Sequence, residues 1–182
     1  MKQFLILILV CAMPVVVLAQ ETEQATTVAP SQCNTEEHRQ FDFWIGDWTV
    51  TSDGQLAGTN SIQSIQDGCA LQENWRGAGA GGISGTSFNI YDRGNDSWHQ
   101  TWIDSTGSLL LLDGALLDGK MVLSGTRPSR DGSTLVSHRI TWTANEDGSV
   151  QQHWESSQDG GRAWSTLFNG LYIKDSDNHE TR

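Results

Sequence analysis

The chain has 182 residues, enough for one domain with short tails. Asp and Glu outnumber Lys and Arg 22 to 11, giving a formal net charge of −11, which argues against nucleic acid and anionic membranes as partners. Charged residues are only 18%, while 19 glycines and eight tryptophans stand against three prolines, a globular and turn-rich composition rather than a disordered one.

The first segment reads as a targeting signal. Met1-Lys2-Gln3 is a short positive start, and residues 4–18 are apolar. Val17 and Ala19 are the small residues of a cleavage site, so cleavage is expected between Ala19 and Gln20. The apolar run is too short to span a bilayer, which needs roughly 20 residues. A signal peptide over 1–19 implies a secreted or periplasmic protein with no membrane association after cleavage. Cleavage also removes Cys11, leaving Cys33 and Cys69 in an oxidising compartment. Two cysteines allow one pairing, and a Cys33–Cys69 disulfide is expected.

Residues 20–33 read as a flexible linker, almost without large apolar side chains. The folded domain is expected over 34–174, with a disordered tail at 175–182. It opens with one short helix, 34–40, capped by Asn34 with Glu37 three residues later. An aromatic cluster follows, Phe41, Phe43 and Trp44. Beyond it the chain alternates with period two between turn signals, seven of which are Asp-Gly dipeptides suited to primed hairpin turns. The strands read as 47–52, 56–66, 69–76, 83–92, 97–104, 108–113, 115–118, 120–126, 134–144, 149–156 and 164–173, with some of the short middle ones merging. About ten antiparallel strands in sequence order close most readily into an all-β, up-and-down barrel, which removes exposed edges. Closure requires the first strand to pair with the last.

Gly46-Asp47-Trp48 sits after the helix and opens the first strand, as the Gly-x-Trp signature does in lipocalins and related calycins. The octapeptide Phe41–Trp48 resembles the start of calycin-like domains of unknown function in secreted bacterial proteins. The resemblance implies a barrel closed at one end by that tryptophan, with a basic residue of the last strand packed on it. Lys174 is the nearest candidate. It also implies a small hydrophobic ligand, and in a minority of members an enzyme.

Two other motifs carry structure rather than chemistry. Ser157-Gln158-Asp159-Gly160-Gly161-Arg162-Ala163-Trp164 fits the Asp-box pattern, a hairpin device in which the Asp bonds turn amides and the Trp packs beneath. Gly77–Gly82 matches Gly-x-Gly-x-x-Gly but leads into a strand, so no helix N-terminus is available for a pyrophosphate. It reads as a hairpin loop at the rim of a barrel mouth. Nothing in the sequence implies a metal or cofactor.

Face parity locates the candidate site. Trp98, Gln100 and Trp102 share one face of their strand; His138 and Trp142, Gln152 and Trp154, and Glu73 and Trp75 do the same on theirs. Tryptophan assigns these faces to the interior, yet each also carries a polar group: Gln100, His138, Gln152 or Glu73. Such a set fits a ligand cavity with Glu73, Trp75, Trp98, Gln100, Trp102, His138, Trp142, Gln152 and Trp154 as its lining. The expected partner is a small amphipathic or aromatic molecule. Two alternatives remain: an enzyme using Glu73 and His138 for acid–base chemistry, or a plugged barrel whose polar groups satisfy one another and whose role is structural.

Overall fold

The structure is a computed structural model that describes residues 32–176. The signal peptide expected over 1–19, most of the linker and the end of the tail lie outside the described residues.

Ten antiparallel strands form a closed barrel in which each strand pairs with its sequence neighbours. They are β1 (Gly46–Ser52), β2 (Gln55–Ile65), β3 (Ala70–Gly77), β4 (Ser84–Asp92), β5 (Ser97–Asp104), β6 (Leu109–Leu117), β7 (Lys120–Pro128), β8 (Leu135–Ala144), β9 (Val150–Ser157) and β10 (Ser165–Lys174). β1 closes the sheet on β10, with Trp48 opposite Lys174 and Val50 opposite Tyr172. The last strand's bonding continues into the expected tail: the Asp175 amide donates to the Asp47 carbonyl at 2.9 Å, and its carboxylate accepts from the Thr49 hydroxyl at 2.8 Å.

Asp-Gly turns pin this register. Asp53-Gly54 and Asp118-Gly119 have positive φ at both residues, as a primed two-residue turn requires. Asp113-Gly114 departs from that pattern. The two short strands expected on either side of it are the single strand β6, in which Gly114 pairs with both Trp98 and Leu123. Its role is close approach: a Cβ there would overlap the Val122 carbonyl.

Turns alternate between the barrel's two ends. One end is sealed by the N-terminal segment, where α1 (Glu36–Arg39) and a 3-10 turn (Asp42–Trp44) precede β1. The helix is shorter than expected, and Thr35, not Asn34, is its cap residue. Thr35 is the last extended residue, and its hydroxyl bonds His38 Nδ1 at 2.8 Å instead of a helix amide. Phe41 then leaves helical geometry and sends Trp44 into the barrel. Arg39 fixes the segment by donating to the carbonyls of Cys33 and Gly68, beside the Cys33–Cys69 disulfide (Cα–Cα 4.9 Å).

This end is an aromatic plug. Phe41 stacks on Trp44 at 5.0 Å and meets Trp98 and Trp142 edge-on at 5.6 and 5.2 Å. Trp48 donates Nε1–H to the Trp44 carbonyl at 3.0 Å. The Lys174 ammonium lies 5.6 Å over the Trp48 ring, and the same lysine packs on Gly46, whose φ of +146° suits glycine.

Candidate functional site

The opposite end is open. A cavity of about 270 Å³ enters there, bounded by Ile83, Asp104 and Leu167 at the rim and by Glu73, Gln100, Gln152 and Tyr172 in depth. That volume lies just under the roughly 300 Å³ at which ligand pockets begin. About 150 Å³ already holds benzene, so a ring with a short chain fits.

Its walls are aromatic. Trp75, Trp102, Trp154 and Phe168 surround the entrance, with Trp75 and Phe168 edge to face at 6.0 Å. Three glycines make room for them. A Cβ on Gly58 would overlap the Trp75 ring, one on Gly85 the Trp102 ring, and one on Gly170 the Phe168 ring. Each ring therefore lies along the wall instead of across the lumen. Edge bonds fix two of them: Trp102 Nε1–H donates to Asp104 Oδ2 at 3.3 Å, and Trp154 Nε1–H to His138 Nδ1 at 3.1 Å. A bulge in β10 between Thr166 and Phe168 adds Leu167 to the rim while Phe168 faces inward.

Below the aromatic ring runs a buried polar network. Glu73 accepts from Asn60 Nδ2 at 2.7 Å and from the Ser87 hydroxyl at 2.6 Å. Ser87 accepts from Asn89 Nδ2 at 2.9 Å, and Gln100 Nε2 donates to Asn89 Oδ1 at 2.8 Å. On the other side Asn60 reaches Tyr172, whose hydroxyl donates to Gln152 Oε1. Sheet register explains the pairing: Glu73 is opposite Ser87, and Asn89 opposite Gln100. Asn60 Oδ1 is buried with no partner among the described residues.

Burial pushes the Glu73 carboxyl up to about 6, with the bonds from Ser87 and Asn60 opposing the rise. Burial, and then the charge of Glu73, hold the Tyr172 phenol well above its ordinary value, so it stays a neutral donor. Burial lowers His138, and the Arg127 charge lowers it further. Accepting the Trp154 N–H at Nδ1 requires the neutral imidazole.

All nine candidate residues face inward, but they divide by depth. Glu73, Trp75, Gln100, Trp102, Gln152 and Trp154 line the cavity. Trp98 and Trp142 belong to the plug at the sealed end, because Phe41 and Trp44 fill the lumen against them. His138 is buried behind Trp154 and orients its indole. The acid–base pairing of Glu73 with His138 does not form: the carboxyl is engaged by Asn60 and Ser87, the imidazole by Trp154. Asn60, Ser87, Asn89, Phe168 and Tyr172 belong to the site without a signal in face parity. Ser87 and Asn89 are fully buried while Phe88 and Ile90 beside them are 47% and 41% exposed, so hydrophobicity points the wrong way along β4.

The Asp-box hairpin is structural. Asp159 Oδ1 accepts from the amides of Arg162 and Ala163, and Trp164 is covered outside the barrel by the Arg139 guanidinium at 4.2 Å.

Fold and site together define a closed ten-stranded barrel with one sealed end and one cavity mouth. No family model matches the chain, and no curated protein matches it. Among the described residues, no group of three or more His, Cys, Asp or Glu side chains is placed to hold a metal, and no helix is long and apolar enough to cross a membrane.

Proposed function

We propose that the protein is a secreted or periplasmic calycin-like barrel that binds a small amphipathic or aromatic molecule in its open-ended cavity. The observation that carries this is the contrast between the two ends. Aromatic side chains stand at both ends, yet only one end is plugged by them. At the other, glycines hold three rings back from the lumen. The polar groups bond one another, as a filled structural barrel also needs, but Asn60 Oδ1 is left without a partner among the described residues and the network forms the floor of a cavity. Aromatic walls bury the ligand's apolar body, and the fixed amides and carboxyl orient its polar end. The calycin likeness is supported by Lys174 over Trp48 beside Gly46.

The test is titration calorimetry with indole, a neutral aromatic of suitable size. Saturable one-to-one binding that is weakened about tenfold by Trp102→Ala is expected, the loss of one stacking wall being worth roughly that factor. Absence of saturable heat up to the solubility of indole would point instead to a structural or interaction role.

A further inference from the structure

The chemistry of the lining narrows the ligand, an inference that rests on the small-molecule reading above. Of the thirteen residues around the cavity, two are carboxylates, Glu73 and Asp104, and none is Lys, Arg or His. His138, buried behind the wall residue Trp154, is a neutral acceptor spent on that indole.

Glu73 is the unusual group. Its side chain is buried, with the residue 4% exposed, and its bonding partners, Asn60 and Ser87, are uncharged. A carboxylate offers about four acceptor sites. Two are filled, so it retains capacity toward the cavity it lines. Burying an anion without a counter-charge is costly, and a matching cation recovers much of that cost. Gln100 adds a second acceptor, since its amide nitrogen is committed to Asn89 and Ser87 while its carbonyl oxygen bonds none of the described residues. Above these acceptors stand four aromatic rings, whose faces attract a cation as well as an apolar body. The chain's net charge of −11 favours the approach of cations over anions.

We propose that the cavity takes a small organic cation: a protonated amine on an aromatic or apolar body, with its ammonium at Glu73 and its body between Trp75, Trp102, Trp154 and Phe168. Gln152, whose carbonyl is taken by Tyr172, leaves its amide N–H groups for any acceptor the ligand carries.

The experiment compares three probes of one shape and different charge: 2-phenylethylamine, 2-phenylethanol and phenylacetate. Each is titrated by calorimetry into the intact barrel at pH 7.5 and about 0.3 M NaCl, where long-range attraction from the surface is screened. The amine is expected to bind at least about tenfold more tightly than the alcohol, the scale of a charge-assisted hydrogen bond, with phenylacetate weakest. In Glu73→Gln the amine falls to the level that the alcohol shows on the same variant. Equal binding of amine and alcohol, a preference for phenylacetate, or an amine preference that survives Glu73→Gln would overturn the inference. The ranking on the unmutated protein decides the matter even if that variant does not fold. Binding of indole without a preference for the amine leaves the small-molecule reading standing and removes this inference alone; binding of none of the probes removes both.

Discussion

Trp102 lies across Gly85 of the neighbouring strand, so that a Cβ at Gly85 would overlap the six-membered part of the indole. The pair sets the bore of the mouth. Gly85→Ala must push Trp102 into the cavity or shift β4. A cost of about 1–3 kcal/mol is expected, as for an added methyl in a packed site, together with weaker indole binding. Urea unfolding and calorimetry on the same variant check both; unchanged binding would mean the ring does not bound the site.

Tryptophans at the two ends should respond differently to truncation. Trp142 is fully buried in the sealed end, so Trp142→Ala should cost about 3–5 kcal/mol, the range for a packed aromatic. Trp102 is half-buried on the cavity wall, so Trp102→Ala should cost about 1–2 kcal/mol while weakening ligand binding. Chemical denaturation of both variants gives the ranking, and a reversed ranking would place the filled core at the mouth.

These two residues also mark what a sequence reveals of such a barrel. Alternation of Trp with Glu, Gln or His along β3, β5, β8 and β9 shows which side chains face inward, because a strand has only two faces and tryptophan strongly prefers the buried one. Closure follows from ten consecutive strands joined by nine hairpins with no crossover. Depth along the lumen is not written in parity. Whether an inward tryptophan plugs or lines depends on how far Phe41 and Trp44 reach into the barrel, which is set by tertiary packing. The network residues on β2 and β4 carry no tryptophan on their inner face. Their only sequence signal is that Gly58 and Gly85, two of the three glycines at the mouth, each start a small or polar inward row: Gly58-x-Asn60 and Gly85-x-Ser87-x-Asn89.

Glu73 makes stability depend on pH in a defined direction. Its folded-state value, about 6, lies above the ordinary 4.5, so the folded state holds the proton more tightly than the unfolded chain. Its contribution is fully present below pH 4.5, is lost as pH rises through about 6, and is then level. The loss amounts to about 2 kcal/mol. The lowered values of His38 and His138 act the opposite way, adding stability as pH rises toward 6.5, so the informative quantity is a difference. Between pH 4.5 and 6.5 the unmutated protein should lose stability relative to Glu73→Gln, measured by urea unfolding. A constant difference would mean that the carboxyl titrates normally.

The Cys33–Cys69 bridge spans 36 residues of sequence and ties the entry segment to the β2–β3 turn. Replacing both cysteines with serine should lower stability by up to about 4 kcal/mol. Because the bridge lies at the sealed end, ligand affinity in the folded fraction should stay within about twofold, as for sites with no shared partners. Calorimetry on the double variant below its melting temperature checks this, and a large loss of affinity would show that the plug and the mouth are coupled.

The most direct measurement of ligand binding at the mouth is the set of eight tryptophan indole N–H resonances, followed by nuclear magnetic resonance as 2-phenylethylamine is added. Signals of Trp75, Trp102 and Trp154 should move together and saturate, while those of Trp44, Trp48, Trp98, Trp142 and Trp164 stay in place. Movement confined to Trp164 or Trp48, or no movement at any concentration reached, would contradict a ligand site inside the open end of the barrel.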